Sequence, residues 1–272
     1  MIDMDFLRPW IGRTEERRDQ ATLAPVAGMA DLLDHPSAPV GTLPPLWHWL
    51  YFLPRARQSR LDHDGHPVRG GFLPPVDLPR RMWAGGALDF LAPVPLGSPL
   101  HRRSTIRDIR HTRGGSGDLV FVTLMHEIFA GDVLAIREQQ DIVYRGAGGG
   151  APAAGPDMPP GAVTERLTAD PVRLFRFSAL TFNAHRIHYD RDYAVTEEGY
   201  GGLVVHGPFI AVLLLDLFRR HRPDAPVHRF TFRGRRPLLD LHPFDLCLSG
   251  DDVWTLDAAG QATMTARVET GL

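Results

Sequence analysis

The sequence predicts an α+β fold in two halves, each built on an antiparallel sheet. Three observations support this prediction. Segments between residues 82 and 145, and again between 226 and 269, alternate apolar and polar residues as strands do. Between them, Phe209 to Leu217 is almost unbroken in its apolar character, which is typical of a buried helix. Residues 146–162 (GAGGGAPAAGPDMPPGA) show no periodicity and predict a flexible linker between the halves.

Composition narrows the possible functions. The chain has 272 residues, 43% of them hydrophobic, and a formal net charge of −2, so it lacks the basic excess expected of a protein with a nucleic-acid partner. All 30 of its Lys and Arg residues are arginine, which excludes a catalytic lysine. The single cysteine, Cys247, excludes an intrachain disulfide and a Cys-x-x-Cys zinc site. An acidic N-terminus without an apolar segment predicts a cytoplasmic protein with no membrane partner.

The first half, residues 1–145, is predicted to begin with a helix over Leu23 to Leu33. A Pro-bounded aromatic segment (41–54) is predicted to pack in the core or an interface, and residues 55–80, rich in Arg, Asp, Gly and Pro, predict a long surface loop. An antiparallel meander of four strands is then expected at 82–94, 101–110, 118–130 and 132–145.

The second half, residues 163–272, is predicted to open with a helix after Thr168, with Pro171 near its first turn. A polar segment follows, and Pro208 is predicted to start the long apolar helix. An apolar helix must be covered, and the cover is expected from four strands at 226–239, 242–250, 253–259 and 262–269.

Chemistry concentrates in the polar segment, where TFNAHRIHYD (181–190) is followed by VVHGP (204–208). His188 is the first candidate for a general base and acid, because an imidazole exchanges protons near neutral pH. Asn183 cannot be a base, but its amide can hold a water molecule. The backbone N–H groups around His206 and Gly207, at the start of the long helix, are suited to bind a developing oxyanion.

Simpler interpretations stay open for these residues. A histidine at a helix start is often structural, and capping is the commoner role for His206. His185, His188 and Asp190 could form a metal site, but Arg186 between the two histidines disfavours a dication, so no metal is expected.

The segment from Phe177 to Gly207, with TFNAHRIHYD and then YGGLVVHG, resembles the MaoC-like (R)-specific enoyl-CoA hydratases of the hot-dog fold. It looks closest to the subgroup that contains mesaconyl-C4-CoA hydratase, itaconyl-CoA hydratase and the mitochondrial 3-hydroxyacyl-thioester dehydratase. Most of the wider family has an aspartate where this chain has Asn183, and Asn-Pro where it has His185-Arg186. The subgroup shares these departures, so we do not interpret the site as inactive.

The resemblance implies a double hot-dog, with two antiparallel sheets that each wrap a long central helix. The first half would lack the catalytic motif and complete the substrate tunnel. The implied reaction is the reversible hydration of a 2-enoyl-CoA, with an acyl-CoA as substrate, no cofactor and a possible homodimer. His188 would be base and acid, Asn183 would position the water, and the Gly207 N–H would stabilise the enolate.

His185, Arg186, His206 and Arg233 are candidates for substrate binding. Arg186 could bind the free carboxylate of a dicarboxylyl-CoA, or it could pair with Asp190 or Asp192. Arg233 could meet CoA phosphates or be a solvated strand end. Other functions compatible with the pattern are a 3-hydroxyacyl carrier-protein dehydratase, a hot-dog thioesterase and a non-catalytic acyl-CoA binding module.

Overall fold

The computed structural model describes residues 2–114, 117–146 and 156–271 of the chain. Its helices are α1 (Met4–Leu7), α2 (Leu23–Leu32), α3 (Pro171–Thr181), α4 (Arg191–Thr196) and α5 (Gly207–His221). Its strands are β1 (Thr14–Gln20), β2 (Arg80–Phe90), β3 (Pro99–Gly114), β4 (Gly117–Ala130), β5 (Val133–Arg145), β6 (Val163–Leu167), β7 (Val227–Gly234), β8 (Phe244–Ser249), β9 (Asp252–Leu256) and β10 (Ala262–Thr270). Short 3₁₀ turns occur at Arg8–Trp10, Trp47–Leu50, Gln58–Arg60 and Arg186–His188.

All ten strands form one antiparallel sheet in the order β1-β3-β4-β5-β2-β7-β10-β9-β8-β6. The first five strands in this order come from the first half of the sequence and the last five from the second. The two half-sheets join edge to edge, because Gly85–Asp89 of β2 pairs with Arg229–Arg233 of β7. Each half therefore covers an edge strand of the other.

Helix α5 is the buried helix that the apolar run predicts. Every residue from Phe209 to Phe218 is buried, and the helix packs on β8, β9 and β10. It begins at Gly207, with Pro208 in its first turn and Arg219, Arg220 and His221 in its last, where cations complement the helix dipole. Burying one large apolar side chain contributes about 1.5–3 kcal/mol, so this helix anchors the second half.

The helix of the first half, α2, is only 10 residues long and packs on α3 of the second half. Its buried residues Val26, Met29 and Leu32 belong to the same apolar core as α5. A second core lies beneath β3, β4 and β5 and includes Ile106 and Tyr144. The first of these two cores, which contains residues of α2 and α5, therefore spans both halves.

Two strands, β1 and β6, were not predicted from the sequence pattern. β1 (TEERRDQ) has no apolar residue, and β6 (VTERL) is short. Both are the outermost strands of the sheet, and polar edge strands lack the apolar alternation that identifies a strand in sequence.

The segment predicted as a surface loop, residues 55–80, is a loop, but it does not lie wholly on the surface. The segment has little regular structure, but Asp64, Val76 and Leu78 within it are buried. The linker predicted over 146–162 lies largely outside the described residues, which omit 147–155. Beyond that gap, Asp157 forms a bridge with Gln261 and β6 begins at Val163. The division into 1–145 and 163–272 stays a prediction.

Candidate active site

A cavity of about 1300 Å³ lies between the half-sheets and is lined by residues of both. One part of its wall is aromatic, because Trp49 and Trp83 both line it and their rings meet edge to face at 5.0 Å. The Trp49 indole also donates to the buried carboxylate of Glu138 at 3.0 Å. The volume is above the roughly 300–1,000 Å³ typical of small-molecule sites, so the cavity has room for a bulky ligand, and the aromatic wall suits an acyl chain.

The polar segment enters the cavity through a tight turn after α3. Phe182 adopts a left-handed conformation (φ 51°) that ends the helix, and the Asn183 N–H donates to the Ser178 carbonyl at 2.9 Å. The Asn183 side-chain oxygen accepts from the His185 N–H at 3.0 Å, which leaves its amide nitrogen available. Asn183, His185 and His188 all line the cavity.

His188 is held in one tautomer. Its Nδ1–H donates to the Val204 carbonyl at 2.7 Å, so the lone pair is on Nε2, which has no hydrogen-bond partner in the described part of the chain. The side chain is 7% exposed, and burial lowers the pKa of His188 to about 4. At neutral pH His188 is therefore an uncharged base on the wall of the cavity.

His206 packs against the ring of His188. Its ring stacks on that of His188 at a centroid distance of 3.7 Å, and its Nε2 meets the Ser178 hydroxyl at 2.8 Å. His206 is completely buried and does not line the cavity, and burial lowers its pKa well below the usual value. The structure thus brings His206 to the site as a neighbour of His188 and not to the cavity surface.

Gly207 is the first residue of α5 and lines the cavity. Its N–H is one of the donors that a helix start leaves unsatisfied, and it has no backbone acceptor within the described residues. The helix dipole adds partial positive charge at this point. The arrangement can bind a carbonyl oxygen that becomes negatively charged.

The loop between Asp62 and His66 is a part of the site that sequence reasoning missed. Gly65, with φ +90°, lies so close to Ala184 that a Cβ would be 1.8 Å from the Ala184 oxygen. The Arg186 N–H donates to the Asp64 carbonyl at 2.9 Å. These contacts fasten a turn of the first half onto the polar segment of the second.

The fastened turn presents an acid–base pair to the cavity. Asp64 accepts from His66 twice, from its N–H at 2.8 Å and from its Nδ1 at 2.9 Å, and the His66 ring lies 4.1 Å from that of His185. Burial alone would raise the pKa of Asp64, but its hydrogen bonds and charge interaction with His66 hold it below the usual range. Burial and then the neighbouring His66 and His188 lower the pKa of His185 to about 2. The motif Asp-Gly-His was the available signal for this pair in the sequence.

Within the residues that the structure describes, one group of side chains is close enough to hold a metal ion. It consists of Asp64, His66 and His185, whose candidate ligand atoms lie within 4.8 Å of one another. Two of the three are already joined by a hydrogen bond, so we interpret the group as an acid–base cluster. The set considered from sequence does not assemble, because Asp190 caps α4 and pairs with Arg186.

The two candidate arginines differ in placement. Arg186 does not line the cavity; its guanidinium pairs with Asp190 at 2.7 Å and lies 4.2 Å above the Tyr193 ring. The ion pair with Asp190 is the structural role that the sequence allowed as an alternative to substrate binding. The structure shows no contact between Arg186 and the cavity. Arg233 lines the cavity together with Arg235 and Arg236.

Comparison with known proteins gives a consistent family. Residues 46–240 match the family model of hydroxyacyl-thioester dehydratase type 2. The chain is 51% identical over 272 residues to mesaconyl-C(4)-CoA hydratase of Chloroflexus aurantiacus, an alignment that covers 96% of this chain and 97% of the relative.

Solved structures show the same fold. HtdX of Mycobacterium tuberculosis superposes with a TM-score of 0.71 at 20% identity, over 95% of this chain and 100% of that one. A second M. tuberculosis protein, described as having a double hotdog fold, superposes with a TM-score of 0.58 at 15% identity and covers 96% of each chain. The fold of the present chain is therefore a double hot-dog, as the sequence resemblance implied.

None of the helices in the described residues is long and apolar enough to cross a bilayer. The family model spans well over half of the chain, and the Chloroflexus relative aligns with nearly all of it. On these grounds the chain belongs to the hydroxyacyl-thioester dehydratase type 2 family.

Proposed function

We propose that the protein catalyses the reversible hydration of a 2-enoyl-CoA to a 3-hydroxyacyl-CoA. The observation that carries this proposal is the His188 tautomer: an uncharged base on the cavity wall, with the unsatisfied Gly207 N–H on the same wall. A base and an oxyanion donor are the two parts that addition of water to an enoyl thioester requires. The 51% identity to a mesaconyl-C(4)-CoA hydratase supports a short branched dicarboxylic acyl group.

In the proposed mechanism the attacking water is held by the Asn183 amide and by His188 Nε2. As the water oxygen bonds to C3 of the substrate, its proton moves to Nε2 and the C2–C3 electron pair moves toward the thioester oxygen. The Gly207 N–H donates to the enolate oxygen that results. When the enolate collapses, C2 takes the proton from His188, so one water is added and the enzyme returns to its starting state.

We propose separate roles for the two halves of the chain. The half that contains Asn183, His188 and Gly207 carries the catalytic motif, and residues 1–145 complete the substrate tunnel with Trp49, Trp83 and the Asp64 turn. Arg233, on the cavity wall, is retained as a contact for the CoA phosphates. A cytoplasmic location and a homodimer stay predictions of the sequence.

A second candidate is dehydration of a 3-hydroxyacyl thioester, which is the same reaction in reverse and is favoured by the matching family model. A thioesterase would need a carboxylate or nucleophile at position 183, where Asn183 has neither function. A binding module would leave His188 idle, and turnover of an enoyl thioester would exclude it.

The test is loss of the conjugated enoyl thioester absorbance with mesaconyl-C4-CoA and, separately, crotonyl-CoA. We expect His188→Ala to lower the rate by about a hundredfold or more, because general acid–base catalysis contributes about 10²–10⁴-fold. His242→Ala, an exposed histidine away from the cavity, is the matched control. A loss below about tenfold in the His188 variant would remove its assigned role, and release of free CoA thiol would indicate a thioesterase.

A further inference from the structure

The wall that the first half contributes to the cavity carries two basic side chains, Arg81 and His66, that approach the catalytic histidines. Arg81 is the second residue of β2 and lines the cavity, as do Trp83, two residues on, and His66. The Trp83 carbonyl lies 3.9 Å from the position that a Cβ on Gly207 would take. This part of β2 is therefore adjacent to the proposed oxyanion donor.

Arg81 is half-buried and has no carboxylate within 4.0 Å among residues 2–114, 117–146 and 156–271. Two other arginines near this wall are neutralised: Arg80 pairs with Glu198 at 2.9 Å, and Arg186 pairs with Asp190. Arg69 donates to the carbonyls of residues 76, 78 and 79. A partly buried guanidinium without a counter-ion is unfavourable unless an anion binds beside it.

His66 adds a second unsatisfied group. Its Nδ1 is used by Asp64, whereas its Nε2 has no hydrogen-bond partner in the parts of the chain that the structure describes. The charge of Arg81 contributes to lowering the pKa of both His66 and His185, after the larger effect of burial, so Arg81 lies within electrostatic reach of both rings. Because the His66 Nδ1–H donates to Asp64, its Nε2 carries a lone pair. An anion there would therefore be bound by Arg81 directly, and by His66 only once Nε2 takes up a proton, which Asp64 and the anion both favour.

The chemistry of a mesaconyl-C4-type substrate requires a subsite in this position. In such a thioester the free carboxylate is bonded directly to the carbon that takes up the hydroxyl group. Whatever binds the carboxylate must therefore lie beside the water held by His188. His66 lies 4.1 Å from His185, which in turn lies 5.5 Å from His188, so the first-half wall meets this condition.

We propose that Arg81 and His66 form the subsite that binds the free carboxylate of a dicarboxylyl-CoA, with Asp64 orienting the His66 ring. Arg81 supplies the fork of N–H donors that matches a carboxylate, and His66, protonated when the carboxylate binds, donates from Nε2 on the other side. The inference rests on the proposed function and names the selector for its substrate class. It replaces Arg186, whose guanidinium is bound elsewhere.

The test compares kcat/KM for mesaconyl-C4-CoA with that for crotonyl-CoA, which has no free carboxylate. We expect Arg81→Gln to lower the ratio of the two values about 10²-fold, because losing one partner of a desolvated charge pair typically costs that much. We expect His66→Gln to lower the same ratio about tenfold. The crotonyl-CoA activity of each variant also shows that it is folded.

Two control variants match the changes. Arg107→Gln removes a charge from an exposed position on β3, and His242→Gln removes an exposed histidine that does not line the cavity. Both should leave the ratio unchanged. If Arg81→Gln lowers both substrates equally, or if Arg186→Gln changes the ratio and Arg81→Gln does not, the subsite assignment is overturned.

Failure of the subsite and failure of the proposed function give different results. A wild-type protein that hydrates crotonyl-CoA in preference to the dicarboxylyl thioester is a hydratase without the subsite. A wild-type protein that hydrates neither thioester fails at the proposed function itself.

Discussion

Replacement of Gly65 by alanine tests whether the fastened turn is part of the active site. Gly65 has φ +90°, and a Cβ there would be 1.8 Å from the Ala184 oxygen, whereas real contacts of this kind are not shorter than 3.0 Å. The turn and the polar segment must therefore separate by about 1.2 Å, the difference between these distances. That movement would shift Asp64 and His66 relative to His185.

Two costs can be separated with a matched variant. Gly97 has nearly the same backbone angle (φ +87°) but no atom within 4 Å of its Cβ position. A left-handed conformation costs a non-glycine residue about 1–2 kcal/mol, so Gly97→Ala should lose about this much free energy of unfolding. Gly65→Ala should lose more, because its turn must also separate from the polar segment. Only Gly65→Ala should also lose activity, by about 10²-fold, since a shift of about 1 Å in a site can have that effect.

Stability is measured by urea unfolding and activity by kcat/KM on mesaconyl-C4-CoA. We expect Gly65→Ala to be less stable than Gly97→Ala and, under conditions where both are folded, to be the only one of the two that loses turnover. If Gly65→Ala keeps its activity within about threefold of wild type, the turn does not contribute to the site. If Gly97→Ala loses as much activity as Gly65→Ala, backbone strain and not close approach explains the effect.

Two further predictions concern the second half. The lowered pKa of His188, about 4, leaves this base uncharged at higher pH. The value of kcat/KM on crotonyl-CoA should therefore be constant from pH 8 to about 5 and fall as the pH drops through about 4. A fall in kcat/KM near the usual histidine pKa would contradict this expectation. Gly207→Ala should fold normally, because its Cβ would lie 3.9 Å from the nearest atoms of Met264 and Trp83, yet lose about tenfold or more in kcat/KM as the methyl group enters the cavity. Thermal unfolding and steady-state kinetics check both parts. Because alanine keeps the backbone N–H, unchanged kinetics would mean that the thioester does not come close enough to residue 207 for that N–H to act.

Much of the fold could be predicted because its strands and its central helix have strong periodic signals. The apolar run that forms α5 and the alternation in β3, β4 and β10 are properties of local sequence. β1 could not be recognised, since its charged residues pair with β3 on an edge and need no apolar face. The edge-to-edge join of β2 and β7 is a long-range contact that local pattern does not encode.

The catalytic segment could be predicted because its residues are close in sequence. Asn183, His185 and His188 lie within six positions, and all three line the cavity. The Asp64 turn lies about 120 residues earlier in a segment with loop composition, and only the close approach at Gly65 brings it to the site. Composition identifies such a segment as a loop but cannot say what the loop packs against.

The continuous sheet also limits how the protein can open. Gly85 and Gly86 lie where strands approach so closely that a Cβ would be 2.6 Å from the Phe232 oxygen and 2.5 Å from the Gln139 oxygen, respectively. A hinge at this join would have to break the ladder between β2 and β7. The halves therefore do not act as jaws, and the two walls of the cavity keep a fixed spacing along this join.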